Sequence, residues 1–207
     1  MRGAVLGDPR AMSAIAGGAV AGLLIANNIG RTTKGIEKAK ETWPALGERG
    51  LTVAVEETSG FAIATGKDRP KAHGELGGHP VVVQILTDFV HCARTEIVVQ
   101  RAGADAKVGV YPSPGGVLGQ LRDWLQNDIE IGDEGFDAAF LVTGKPAEAA
   151  KSALSSAALR ERIAGLAGGS FAGLELDAER VRVTLSGVET DPATLGAALD
   201  LALAAAG

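Results

Sequence analysis

Three groups of side chains in this sequence are of types that do chemistry. His73, His79, His91 and Cys92 could in principle offer imidazole and thiolate ligands to zinc. Their spacing argues against one shared site: His73 and His79 flank Gly77-Gly78, and His91 and Cys92 are neighbours on a β-rich run, where adjacent side chains point to opposite faces. Cys92 could also be a nucleophile, with His79 as base and Asp88 as the orienting group. A single cysteine in a β-rich run serves equally as a small buried apolar group.

The acidic string Asp128, Glu130, Asp133, Glu134 and Asp137 could gather oxygens around calcium or magnesium. Counted from Asp128, however, glycine arrives at the fifth position and the twelfth is Ala139, which breaks the EF-hand pattern. A solvated turn ahead of a strand accounts for it. In "GFAIATGKD" both the glycine spacing and the aspartate after Lys67 are wrong for a P-loop. "GGAVAG" lacks the dinucleotide spacing and a preceding strand, and "GGSFAG" is not a nucleophile elbow. No catalytic residue, metal site or cofactor is therefore expected.

The elements that would position such groups are clearer. In a chain of 207 residues, 46% are apolar and only 4% aromatic, with 29 glycines, so the core must be built from small aliphatic side chains. Net charge is −5, with lysine and arginine scattered, so a nucleic-acid partner is not expected. One cysteine cannot form an internal disulfide, which fits a reducing compartment.

From Ala11 to Ala26 the chain is apolar apart from Ser13, short of the roughly 20 residues a bilayer span needs unless the helix continues to Ile29. Ala14, Gly18, Gly22 and Ala26 recur at every fourth position, a glycine-zipper ladder that lets helices approach closely. A buried helix in a soluble protein would look similar. A cleaved leader fits less well, because "IANNIG" puts asparagines where a small-residue cleavage site belongs. Arg31, Lys34, Lys38 and Lys40 after the run outnumber Arg2 and Arg10 before it, which places the rest of the chain on the cytoplasmic side of an inner membrane. A soluble cytoplasmic protein is the alternative.

Residues 34–48 set Ile36, Ala39, Trp43 and Leu46 at steps of three and four, an amphipathic helix interrupted by Pro44. Beyond Gly50 the period becomes two. "LTVAVEE" and "FAIAT" read as a hairpin, Val81 to Phe89 and Thr95 to Arg101 as strands, and "KVGVY" as a further edge. Val117, Leu118, Leu121, Trp124 and Leu125 share a helical face after "YPSPGG". Phe136, Phe140 and Val142 suggest a strand, and Pro146 to Ala167 a helix with a break near Ser155-Ser156. "FAGLELD" and "RVRVTLSG" alternate around Asp177-Ala178-Glu179, and Asp191-Pro192 opens a last helix with Leu195, Leu199 and Leu203 inward.

The expected fold is thus α+β: an apolar N-terminal helix (1–30), an amphipathic linker helix (31–50), a β-rich antiparallel subdomain (51–125) and an α+β subdomain (126–207). The runs "GELGGHPVVVQI", "DEGFDAAFLVTGKPAEAAKSALSSAALRERIAGL" and "LELDAERVRVTLSG", within residues 34–190, resemble an uncharacterised bacterial family of membrane-anchored α+β domains. That resemblance implies a membrane-associated protein of unknown function and carries no catalytic residues to transfer. The chain departs from the family in its short, Ala-rich apolar segment.

The leading expectation is a non-enzymatic, membrane-associated interaction or assembly domain. A protein partner or a second copy would be contacted through the face of Ala14, Gly18, Gly22 and Ala26. The alternatives are a soluble enzyme or ligand-binding domain with its site near His79 and Cys92, and a structural subunit that self-assembles without lipid.

Overall fold

The computed structural model describes residues 28–56, 69–88, 92–103, 106–113 and 128–207. The apolar run with Ala14, Gly18, Gly22 and Ala26, the "FAIAT" strand, His91 and the helical face from Val117 to Leu125 lie outside the described residues.

Helix α1 occupies 28–42 and passes into a 3₁₀ turn, Trp43–Arg49, at Pro44, which has no N–H to continue the α pattern. Gly50 then reverses the chain at φ 90°, a left-handed conformation that glycine adopts without strain. The predicted stripe is the docking face: Ile36, Ala39, Trp43 and Leu46 are all buried.

Eight strands follow: β1 Thr52–Glu56, β2 Arg69–Leu76, β3 His79–Asp88, β4 Cys92–Gln100, β5 Lys107–Pro112, β6 Phe140–Lys145, β7 Phe171–Leu176 and β8 Arg180–Ser186. They form one antiparallel sheet in the order β1-β2-β3-β4-β8-β7-β5-β6. Gly77 and Gly78, both at positive φ, make the two-residue turn between β2 and β3. Asp177 holds the turn from β7 to β8 by accepting from the Glu179 and Arg180 amides, both at 2.9 Å.

The helices are α2 Glu134–Ala139, α3 Ala147–Ala153, α4 Ala157–Leu166 and α5 Pro192–Ala206. Asp191 caps α5 by accepting from the Ala193 and Thr194 amides, and Pro192 takes the first turn, as the sequence indicates. Leu195 and Leu199 are buried and Leu203 partly so, but Ala198, Leu201, Ala202 and Ala205 are buried too. An apolar helix of this breadth fits where strands lie beneath it and other helices flank it: α5 packs on β4 and β8, with α4 and the 3₁₀ turn beside it, while α3 covers β5 and β6.

The fold is α+β, an antiparallel sheet with packed helices. Three details differ from the sequence reading. The sheet runs unbroken through 51–125 and 126–207, because β4 pairs with β8, so the two spans share one core. The "KVGVY" strand is interior, between β7 and β6. Phe136 sits on α2 rather than in a strand, because Asp133 accepts from its amide and starts a helical turn. The break expected near Ser155-Ser156 is present, since Ser156 caps α4 anew after Leu154 ends α3.

Candidate functional site

Helix α1 links the apolar run to the body. Residues 28–35 include none that is buried, whereas Ile36 onward is docked, with the Trp43 indole donating to the Glu189 carbonyl at 2.9 Å. Arg31, Lys34 and Lys38 are exposed and recur at steps of three and four, which gathers them on one side of α1, away from the docked stripe. Among the described residues, no helix is long and apolar enough to cross a membrane.

The histidine and cysteine candidates are not brought together. His79 opens β3 opposite Leu76, and Cys92 opens β4 opposite Asp88 at the far end of the same pair of strands. The rise of an extended chain separates those ends by about 30 Å. His79 instead sets Nδ1 at 2.9 Å from the Gln100 carbonyl, and His73 stands exposed on β2. A site built on His79, Asp88 and Cys92 is therefore excluded by strand length.

The acidic string has backbone roles. Asp128 accepts from the Val142 amide, and the Ile129 amide donates to the Val142 carbonyl, so this segment blunts the open edge of β6. Asp133 caps α2 and pairs with Arg160 at 3.0 Å; the amide of Phe136 and the Arg160 guanidinium hold its carboxyl below the usual range. Asp137 accepts from the amides of Ile131, Gly132 and Asp133. Among the described residues no three His, Cys, Asp or Glu side chains gather as metal ligands.

A candidate site lies elsewhere, at the end of the sheet where β5 and β8 begin and β6 and β7 finish. A cleft of about 630 Å³ opens there, its lining including Lys107, Gly109, Tyr111, Thr143, Lys145 and Arg180. Gly109 and Gly173 let the Tyr111 ring lie flat on the sheet, since a Cβ would come within 2.7 Å of the ring at Gly109 and 2.8 Å at Gly173. The phenol donates to Glu175 at 3.0 Å, and Glu175 accepts from Arg182 at 2.8 Å. Arg182 in turn lies 3.9 Å from Glu96, which pairs with Arg94 at 3.0 Å.

This chain of charges runs along the face of the sheet that α5 does not cover, yet Glu96 is only 6% exposed. Burial first, and then the Glu175 carboxylate, push the Tyr111 phenol up to about 12.

Sequence reasoning passed over these residues. Its usable signal was the alternation Lys107-x-Gly109-x-Tyr111 and Thr143-x-Lys145, which places each set on one face of a strand. Their meeting depends on β5 pairing with β6 and β7, which no local pattern states.

No family model matches the chain, and no curated protein is significantly similar to it in sequence. Among solved structures, it is distantly similar to the crystal structure of the mycobacterial trehalose monomycolate transport factor A, with a TM-score of 0.48 and 14% identity, covering 84% of this chain and 90% of that one.

Proposed function

We propose that this protein is a membrane-associated interaction or assembly domain, in which the apolar run enters the bilayer and packs against a partner helix through Ala14, Gly18, Gly22 and Ala26. The observation that carries the reading is α1. Arg31, Lys34 and Lys38 lie on an exposed side of the helix directly after an apolar segment, where cations meet anionic headgroups at roughly 1 kcal/mol each. Its docked turns fix the helix to the sheet domain through Ile36, Ala39, Trp43 and Leu46. The cationic flank supports the cytoplasmic face for the domain.

Fractionation of the full chain beside a chain starting at residue 31 tests this. The shorter chain keeps the whole docked stripe, so both should unfold at similar temperatures. The full chain is expected to sediment with vesicles or associate with itself, and the shorter chain to do neither. Equal partitioning and an identical oligomeric state for the two would refute the reading.

A further inference from the structure

Lys107 and Lys145 stand directly opposite one another in the β5–β6 register, an arrangement that costs stability because like charges face each other across the ladder. Both are exposed and line the cleft, and among the described residues neither side chain has a hydrogen bond or ion pair. The nearby carboxylates are engaged elsewhere: Asp177 with Arg180 and the turn amides, Glu175 with Arg182 and Tyr111, Asp128 with the Val142 amide. The two lysines are left as a paired positive charge in a cleft whose lining also includes Thr143 and Tyr111.

We propose that the cleft binds the phosphate of a phosphorylated ligand, held between Lys107 and Lys145, with Thr143 donating to it and an apolar or planar remainder lying against Tyr111. A phosphate monoester carries roughly −1.5 to −2 charge at neutral pH and matches two ammonium groups, whereas a carboxylate would leave one unmatched. The cleft is within the range of roughly 300–1,000 Å³ that small-molecule sites occupy. The proposal stands independently of the membrane reading, because it uses only the sheet.

The test is calorimetric titration of the full chain with phenyl phosphate, inorganic phosphate and benzoate, joined by vesicles of phosphatidylcholine with and without phosphatidic acid. Saturable binding of phenyl phosphate is expected, tighter than that of inorganic phosphate and of benzoate. Lys107→Gln and Lys145→Gln should each weaken it about tenfold or more, as expected when a charged hydrogen bond is lost, with no fall in thermal stability.

If the double variant also abolishes the extra binding conferred by phosphatidic acid, the phosphate is that of a lipid headgroup. If it abolishes only phenyl phosphate binding, the ligand is a soluble monoester. Absence of saturable binding in both arms, or binding that the double variant leaves unchanged, would overturn the proposal.

Discussion

On the face of the sheet beneath the helices, Val83, Ile97, Val183, Leu174, Val110 and Val142 stand opposite one another across six strands, each 1% exposed or less. One residue along, on the other face, the row reads Val98, Arg182, Glu175, Gly109 and Thr143. The same backbone therefore presents a dry aliphatic layer on one side and an ordered line of charge on the other. Stability is concentrated on the first, where burial is worth about 25 cal/mol per Å². The second holds particular side chains in particular places, and that is where the cleft opens. A one-residue slip in any of these strands would exchange the two, so the register is fixed by the cost of burying Arg182 and Glu175.

The contrast breaks first on the aliphatic side. Phe140 is 1% exposed, with its ring 4.5 Å from that of Phe136 and 6.3 Å from that of Phe171. Phe140→Ala should cost about 4 kcal/mol through lost transfer energy and the cavity left behind, measured as a lower urea midpoint. A value near zero would mean that α2 collapses into the gap and that this layer is less rigid than its packing implies.

Glu96 tests the opposite face. It is buried with polar neighbours rather than apolar ones, so Glu96→Ala removes the partner of Arg94 and leaves Arg182 with one carboxylate instead of two. A loss of about 2 kcal/mol is expected, smaller than for Phe140 and visible in the same urea titration. If Glu96→Ala proved the more damaging, the charged face would be the main source of stability.

Gly173→Ala separates placement from stability. The added Cβ would sit 2.8 Å from the Tyr111 ring and lift it from the sheet, at a cost of about 1.5 kcal/mol. Tyr111 is the single tyrosine of the chain, so ultraviolet titration reads it alone. Its pKa, about 12 in the folded protein, should fall toward the ordinary phenol value in the variant.

The sign for stability follows from the same shift. The unfolded chain ionises its phenol near pH 10 and the folded one about two units higher. The contribution of Tyr111 is thus complete below pH 10 and lost as pH rises toward 12. An unfolding midpoint that did not fall over that interval in the native sequence, relative to Tyr111→Phe, would contradict it.

The covered face was largely legible in the sequence, because burial on one side of a strand or helix writes a period into the chain. Val181, Val183 and Leu185 alternate, Ile36, Ala39, Trp43 and Leu46 recur at helical spacing, and all seven are buried. The face that α5 does not cover was not, since what matters there is which strand lies beside which. Lys107 and Lys145 face each other only because the chain returns from α2 to the outer side of β5. His79 and Cys92 likewise stand out by residue type, although a hairpin of that length holds its two ends apart.

The smallest expected effect bears most directly on the cleft. If the opposed lysines repel, Lys107→Glu should convert a like-charge pair into an attractive one and stabilise the protein by about 0.5 kcal/mol, with Lys107→Gln intermediate. The gain should shrink as salt is raised, because an exposed pair is screened. The substitution should also remove phosphate binding, so stability and binding would move in opposite directions from one change. A surface lysine with no role in recognition gives no reason for that opposition. A Lys107→Glu protein no more stable than the native one would show that the two ammonium groups already avoid each other, and the clamp would then have to form only as the phosphate enters.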